Sequence, residues 1–322
     1  MSEERRHAVV VGAGPVGCVL SVLLARRGFA VSTYEKRPDM RRTDIVAGRS
    51  INLVLTRRGI RALELLGLRE AVLNLTVPVL GRMMHSVEGE LAYQPYGKDD
   101  SECNYSVSRG KLNQYLLDAA EDESCSIHFD HELVDADFEE GWCRFTHNGG
   151  MIEVTADVAF GCDGAFSGVR KALVENHGAK DSIEWLPHGY KELDFPTNAD
   201  GGFNMAGHAL HIWPRGKHML MGLANLDQSF TGTIYLRNHG EESFEELATA
   251  EQVRALFEKH YPDAIGLLGE DFAQEFVDSP TGHLGTVRCA PWSYRDKVLL
   301  VGDAAHGIVP FFGQGLNCGF ED

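Results

Sequence analysis

The stretch His7-Ala8-Val9-Val10-Val11-Gly12-Ala13-Gly14-Pro15-Val16-Gly17 decides the reading of this chain. Its apolar start predicts a buried strand at His7–Val11, and the pattern that resumes after the glycines predicts a helix at Val16–Arg27, closed by Gly28. Ala30–Tyr34 reads as a second strand with Glu35 at its tip. Strand, glycine turn, helix and strand make a βαβ unit. The glycines permit a tight turn and close approach of backbone to a pyrophosphate, and the helix N-terminus offers it partial positive charge. Glu35 can accept hydrogen bonds from a ribose, and its charge repels a 2′-phosphate. The unit predicts a tightly held FAD or NAD rather than NADP.

Working outward, the whole chain has 322 residues, 43% hydrophobic and 24% charged, which excludes collagenous, low-complexity and disordered classes. With 47 acidic residues against 30 basic ones the net charge is −17. Such a surface repels nucleic acid and anionic lipid, so a small-molecule substrate is expected. Seven scattered cysteines, an odd number without a C-x-x-C pair, fit a reducing compartment. The uncharged run Ala8–Ala25 is broken by Gly12, Gly14, Pro15 and Gly17, so it reads as strand–turn–helix, and no targeting or spanning segment is expected.

Arg58–Leu66 and Lys111–Asp122 have amphipathic helical spacing, and Gly81–Ser86 and Glu90–Pro95 alternate as a hairpin around Glu88–Gly89. Val154–Gly161 and Lys297–Val301 read as apolar strands. Between about Ile183 and Pro280, strands at His208–Trp213, His218–Leu223 and Thr231–Leu236 precede a helix at Ala250–His260. The expected fold class is α/β: a Rossmann-like dinucleotide-binding domain over 1–182 and 281–322, interrupted by a mixed β-sheet substrate domain over 183–280. The hairpin 81–96 is expected to reach the substrate site. Gln314–Asp322 has helical spacing but stops about two turns in without a cap, as expected of a piece of a longer chain.

Two further segments are informative: Val158–Arg170 reads VAFGCDGAFSGVR, and Lys297–Asp322 reads KVLLVGDAAHGIVPFFGQGLNCGFED. With the glycine turn, they resemble the three hallmarks of the class A flavoprotein aromatic hydroxylases: a glycine fingerprint, a DG motif and a GD motif followed by a Pro-containing loop and helix. The resemblance selects FAD and implies a fold of the p-hydroxybenzoate hydroxylase type. It puts Asp303 on the flavin ribitol, the Gly313–Asn317 loop and helix start against the isoalloxazine, and Arg109 on the dinucleotide. A helix N-terminus there would stabilise the negative charge that reduced flavin develops at N1 and O2. The positions implied for FAD are Gly12, Gly14, Val16, Gly17, Tyr34, Glu35, Lys36, Arg37, Val54, Arg109, Leu133, Asp163, Gly168, Asp303, Gly315, Leu316 and Asn317.

Gly48–Leu53, Arg82–Ser86, Pro95–Gly97, Pro187–Leu193, Leu210–Arg215 and Val309–Asp322 are, more narrowly, similar to segments of the kynurenine 3-monooxygenases. That resemblance implies that NADPH reduces FAD, that O₂ then gives a flavin C4a-hydroperoxide, and that L-kynurenine is hydroxylated at ring C3 in tryptophan catabolism. NADPH would bind only transiently, in keeping with the single glycine fingerprint, and no side chain is needed as acid or base. Arg82 and Tyr96 match the carboxylate-holding positions. The hairpin supports their meeting: a three-residue loop at 88–90 puts them opposite, and a two-residue loop leaves them one residue out of register. By resemblance Leu210, Met221, Leu223, Tyr235, Pro310 and Phe311 line an apolar substrate pocket, although alternating apolar residues on strands serve equally as core.

Relatives in that family continue past the equivalent of Asp322 with helices that supply an Asn and a Tyr to the carboxylate, and eukaryotic members carry a hydrophobic tail anchored in the mitochondrial outer membrane. As this chain the protein is expected to be cytoplasmic; if the natural protein ended at Asp322, its pocket would be open on one side, and weak FAD retention and loss of coupled hydroxylation would be expected. Two alternatives stay open: a hydroxylase or reductase of the same fold acting on another aromatic or prenyl substrate, and a non-catalytic partner-binding protein of that fold. His128 and His131 would point to opposite faces of a strand, so no metal site is expected. Gly-x-Ser-x-Gly is absent. His306 is expected to be structural.

Overall fold

The computed structural model describes residues 5–42 and 52–322. Of the expected Gly48–Leu53 segment, positions 48–51 lie outside the described residues.

The opening unit forms as its sequence dictates: strand His7–Val11, helix Pro15–Arg26, strand Ala30–Tyr34. Pro15 suits the first helical turn because its missing N–H has no partner there anyway. The strands join a six-stranded sheet in the order 293–294, 298–300, 158–161, 7–11, 30–34, 126–128, parallel except at its 293–294 edge. One face is covered by Pro15–Arg26 and Arg109–Asp122, with Val10, Val22, Leu112 and Leu116 wholly buried between them. The other face packs on helix Gly168–His177 and on a meander of Glu132–Asp137, Trp142–His147 and Gly150–Thr155.

The expected single strand Val154–Gly161 is two strands. Gly150–Thr155 closes the meander, and Val158–Gly161 begins the parallel sheet. The break falls at Asp157, whose carboxylate accepts from the His7 N–H at 2.6 Å. A continuous apolar pattern conceals such a change of partner sheet.

The second large sheet has seven strands in the order Gly282–Ala290, Lys180–Phe195, Phe230–Arg237, Met219–Ala224, Ala209–Pro214, Gly81–His85, Leu91–Pro95. Helices Ala250–His260, Pro262–Ile265 and Phe272–Asp278 cover one face over Phe195, Trp213, Leu220, Phe230, Ile234 and Leu236. The sequence divided the chain at 182/183 and 280/281; the Lys180–Phe195 strand runs through the first of these points, and pairs with Gly282–Ala290 on one side and Phe230–Arg237 on the other. The sheet thus draws strands from both segments flanking 183–280 as well as from the hairpin. A third small sheet, Asn52–Leu55, Asn104–Ser108 and Thr76–Val79, bridges the two. Among the described residues no helix is long and apolar enough to cross a membrane, and all seven cysteines are free thiols.

Candidate active site

The open face of the seven-stranded sheet looks across a cleft of about 1290 Å³ toward the glycine turn and the last two helices. Alternation supplies its wall. Leu210, Ile212, Met221, Leu223, Thr231, Thr233 and Tyr235 face the cleft, while their neighbours Trp213, Leu220, Phe230 and Ile234 point into the core behind. Leu210, Met221, Leu223 and Tyr235 therefore line the cleft on strands whose other face is core. Leu210, Leu223 and Tyr235 are buried, yet they belong to the cleft wall and not to the helix-backed core.

At one end of this wall stand Arg82 and Tyr96. The hairpin register differs from both expected ones. Arg82 pairs with Gln94, because the loop is Val87-Glu88-Gly89 and Ser86 already bonds Glu90. Tyr96 is then displaced by two residues, which keeps it on the same face as Arg82; a one-residue offset would have put it on the other. The Arg82 guanidinium carbon lies 5.4 Å from the centre of the Tyr96 ring.

At the other end, strand Val298–Leu300 leads into Gly302, at φ +63°, and a one-turn helix Asp303–His306. Asp322 fastens this turn from behind, accepting from the Gly302 N–H at 2.7 Å and meeting His306 Nε2 at 2.8 Å. Asp303 itself lines the cleft. Its side chain is exposed to the cleft, and desolvation by the surrounding walls pushes its carboxyl above the usual range, with Arg109 and His306 opposing. Pro310, Phe311, Gly315 and Leu316 complete this end, and the Phe311 ring lies 5.1 Å from that of Tyr235.

The glycine turn closes the third side. Gly12 has φ +100°, and a Cβ there would fall 2.4 Å from the Cys162 carbonyl oxygen, so only glycine fits. Gly14 differs: a Cβ would meet nothing within 4 Å, which leaves its backbone open to a ligand beside Val16. Val54 and Arg109 line the same space.

The structure thus gathers Gly14, Val16, Val54, Arg82, Tyr96, Arg109, Leu210, Met221, Leu223, Tyr235, Asp303, Pro310, Phe311, Gly315 and Leu316 around one cleft. Gly12, Gly17, Tyr34, Glu35, Lys36, Arg37, Leu133, Asp163, Gly168 and Asn317 are not among its lining residues. Glu35 is buried at the end of its strand, accepting from the Ala13 N–H at 3.0 Å and from Arg37 Nε at 2.7 Å. Burial alone would raise its carboxyl; Arg37 and the backbone donors outweigh burial and hold it below the ordinary value. Tyr34 is closed off between His128 and Phe145, its ring stacked on both, so its side chain has no face to offer a cofactor. Asn317 is also committed: it accepts from the Thr56 N–H and donates to the Val54 and Gly313 carbonyls. Asp163 accepts from the Val169 N–H at 3.2 Å while its Oδ1 stays buried without a partner. Gly168 packs beside Leu133 next to it.

Sequence reasoning missed Tyr190, Thr231, Thr233, Met84 and Ile212, which also line the cleft. The signal was present: each lies an even number of residues along a strand from a residue already chosen or within a motif already quoted. His128 and His131 do not share a strand, since Ser126–His128 ends before His131. Three side chains that could ligate a cation, His218, Glu242 and His260, do cluster on the far side of the sheet, with the Lys259 ammonium 2.6 Å from Glu242.

The geometry fits FAD on its own terms: an open glycine backbone at Gly14, a buried acid at the tip of the second strand, and an Asp303 carboxylate exposed to a cleft too large for one small ligand alone. This is the constitution of a dinucleotide-dependent enzyme that acts on a small ligand beside its cofactor. The FAD binding domain family model matches residues 5–322. The chain is 47% identical to a kynurenine 3-monooxygenase of Myxococcus xanthus over 100% of its own length and 70% of that protein. Similar matches, both 42% identical over 70% of the relative, are kynurenine 3-monooxygenases of Xanthomonas axonopodis pv. citri and Legionella pneumophila, covering 99% and 98% of this chain. Among solved structures, 2-methyl-3-hydroxypyridine-5-carboxylic acid oxygenase superposes with TM-score 0.79 at 21% identity, over 98% of this chain and 80% of that one, and a tetracycline destructase with TM-score 0.67 at 18% identity, over 98% and 79%. The chain belongs to the FAD-binding domain family and, within it, to the kynurenine 3-monooxygenases.

Proposed function

We propose that this chain, with FAD, NADPH and O₂, hydroxylates L-kynurenine at ring C3, and that Arg82 and Tyr96 hold the substrate carboxylate while the strand wall holds its ring. The single observation that carries the assignment of roles is the cleft's polarity: a guanidinium and phenol at one end, a carboxylate and helix start at the other, and an apolar wall between.

Bound FAD supplies activated oxygen once NADPH has reduced it; the chain's own residues bind, orient and exclude water. Asp303, exposed to the cleft, would accept from ribitol hydroxyls of FAD. Gly14 and the start of helix Pro15–Arg26 face the pyrophosphate, and Glu35 keeps acceptor capacity for a ribose. The planar Arg82 fork donates two hydrogen bonds to the carboxylate, with the Tyr96 ring beside it. Leu210, Met221, Leu223, Tyr235, Pro310 and Phe311 enclose the aryl ring, an apolar burial worth on the order of 2–3 kcal/mol. No general base is required, because the ortho amino group already makes the ring carbon electron-rich.

Following NADPH oxidation and 3-hydroxykynurenine formation with L-kynurenine, with 4-hydroxybenzoate and without substrate tests this. Stimulation and product with L-kynurenine alone is expected. Equal oxidation in all three, or preference for 4-hydroxybenzoate, would overturn the substrate assignment.

A further inference from the structure

The segments Arg82–Ser86 and Leu210–Arg215 do more than present Arg82 and Leu210 to the cleft. On the back of the same two strands, His85 and His211 are 4% and 2% exposed and form a continuous polar chain. His211 Nε2 lies 3.0 Å from the Ala206 carbonyl oxygen, and His211 Nδ1 lies 2.8 Å from His85 Nε2. His85 Nδ1 lies 2.7 Å from Asp263 Oδ2, which also accepts from Trp213 Nε1 at 2.8 Å. The His85 ring stacks on Trp213 with 3.9 Å between centres.

Counting protons along this chain gives a definite result. It starts at a carbonyl oxygen and ends at a carboxyl group, and three contacts lie between them. Each contact needs one proton, and two neutral imidazoles carry only two. Without a third, one pair of lone pairs would face each other at 3.0 Å or less. Burial pushes both imidazoles toward the neutral form, His211 to about 4, and the Asp263 carboxylate opposes that push at His85. The third proton therefore sits between His85 Nδ1 and Asp263 Oδ2, and the trio is neutral overall whichever atom holds it. The other charged group facing the pair is Arg215, whose guanidinium donates to the carbonyls of His85, Ser86 and His260.

The mechanical consequence concerns Arg82. Its strand is next to last in the sheet, and outside it lies only Leu91–Pro95, exposed along its whole length. Arg82 and Met84 face the cleft, and His85 faces away, about 10 Å along the strand from Arg82. We propose that His85, His211 and Asp263 are positioning residues for carboxylate recognition, locking the Arg82 strand to Ala209–Pro214 and to helix Pro262–Ile265 through one shared proton. This rests on the reading of Arg82 as the carboxylate partner.

Two measurements on the whole FAD-loaded chain test it. NMR of histidine labelled with nitrogen-15 should show, near neutral pH, N–H at Nε2 of both His85 and His211 and a strongly deshielded proton in the His85–Asp263 contact that disappears in Asp263→Asn. A contact lacking its proton would overturn the proposal. In kinetics, Asp263→Asn and His211→Leu should raise KM for L-kynurenine at least fivefold with less than a twofold fall in kcat, and leave KM for its decarboxylated analogue kynuramine unchanged. A merely structural role would move both KM values and kcat together, and an unshifted KM would also refute positioning. Turnover of L-kynurenine by the unaltered chain with unshifted variants defeats the positioning role alone; no turnover by the unaltered chain defeats the parent reading, and positioning with it.

Discussion

Asp303 places a charge in the cleft wall, where the proposed binding of FAD would use it at the expense of the empty fold. Desolvation by the cleft walls raises its carboxyl, so the ionised form is penalised in the folded chain. Asp303→Asn removes that penalty together with the proposed ribitol acceptor. The variant should bind FAD at least tenfold more weakly, by fluorescence titration, while its apo-protein melts no lower than the unaltered one. Glu35 has the opposite sign. Its folded carboxyl is held below the ordinary value, so its contribution is present above the unfolded value, about 4.3, and is lost as pH falls through the folded one. Glu35→Gln should therefore lower Tm most at neutral pH, and the difference should shrink below about pH 4. Most such residues were legible because their chemistry is tied to a local motif. Tyr34 and Asn317 show the limit: the sequence gives their positions, but only packing shows that the ring of one is sandwiched and the amide of the other is committed to backbone.

Elements with strong local signals came through within a residue or two: His7–Val11, Ala30–Tyr34 and Ala250–His260 form as expected. What failed depended on partners. The Val154–Gly161 run is shared between two sheets, and the hairpin register is set by Ser86 closing on Glu90 one residue earlier than the glycine suggested. In the last helix, Gly315–Glu321, Asn317 ties the first turn to Val54 and Thr56 beside the cleft, while Phe320, Glu321 and Asp322 hold its far end. Asn317→Ala leaves those backbone groups buried and unpaired. It should destabilise the chain by about 2–4 kcal/mol in urea unfolding and weaken FAD binding with it, because the helix start moves.

The molecule as a whole packs one core on each face of the six-stranded sheet and one behind the seven-stranded sheet, with the cleft between the two sheets. A ligand that touches both sides should couple them. FAD at a thousandfold excess over its Kd would add about 4 kcal/mol to unfolding, so a rise in Tm on the order of 5–10 °C with a sharper transition is expected in calorimetry. Two separate transitions, only one of them shifted, would show that FAD holds a single side. The relative placement of the two sheets was the least legible feature of the sequence, because the strands at 81–85, 180–195 and 282–290 come from three separated segments and nothing local announces that they share a sheet.

The central claim is that one cleft holds a flavin at the Asp303 end and an amino-acid carboxylate at the Arg82 end. Titrating L-kynurenine into the FAD-loaded chain while following the flavin absorption band, for the unaltered chain and for Arg82→Met, tests both halves together. A saturable band shift whose midpoint rises about a hundredfold in Arg82→Met, the loss of roughly 2–3 kcal/mol of charge-assisted bonding, with the flavin spectrum before titration unchanged, is the predicted result. A midpoint that ignores the substitution, or a flavin band that never responds to L-kynurenine, would contradict it.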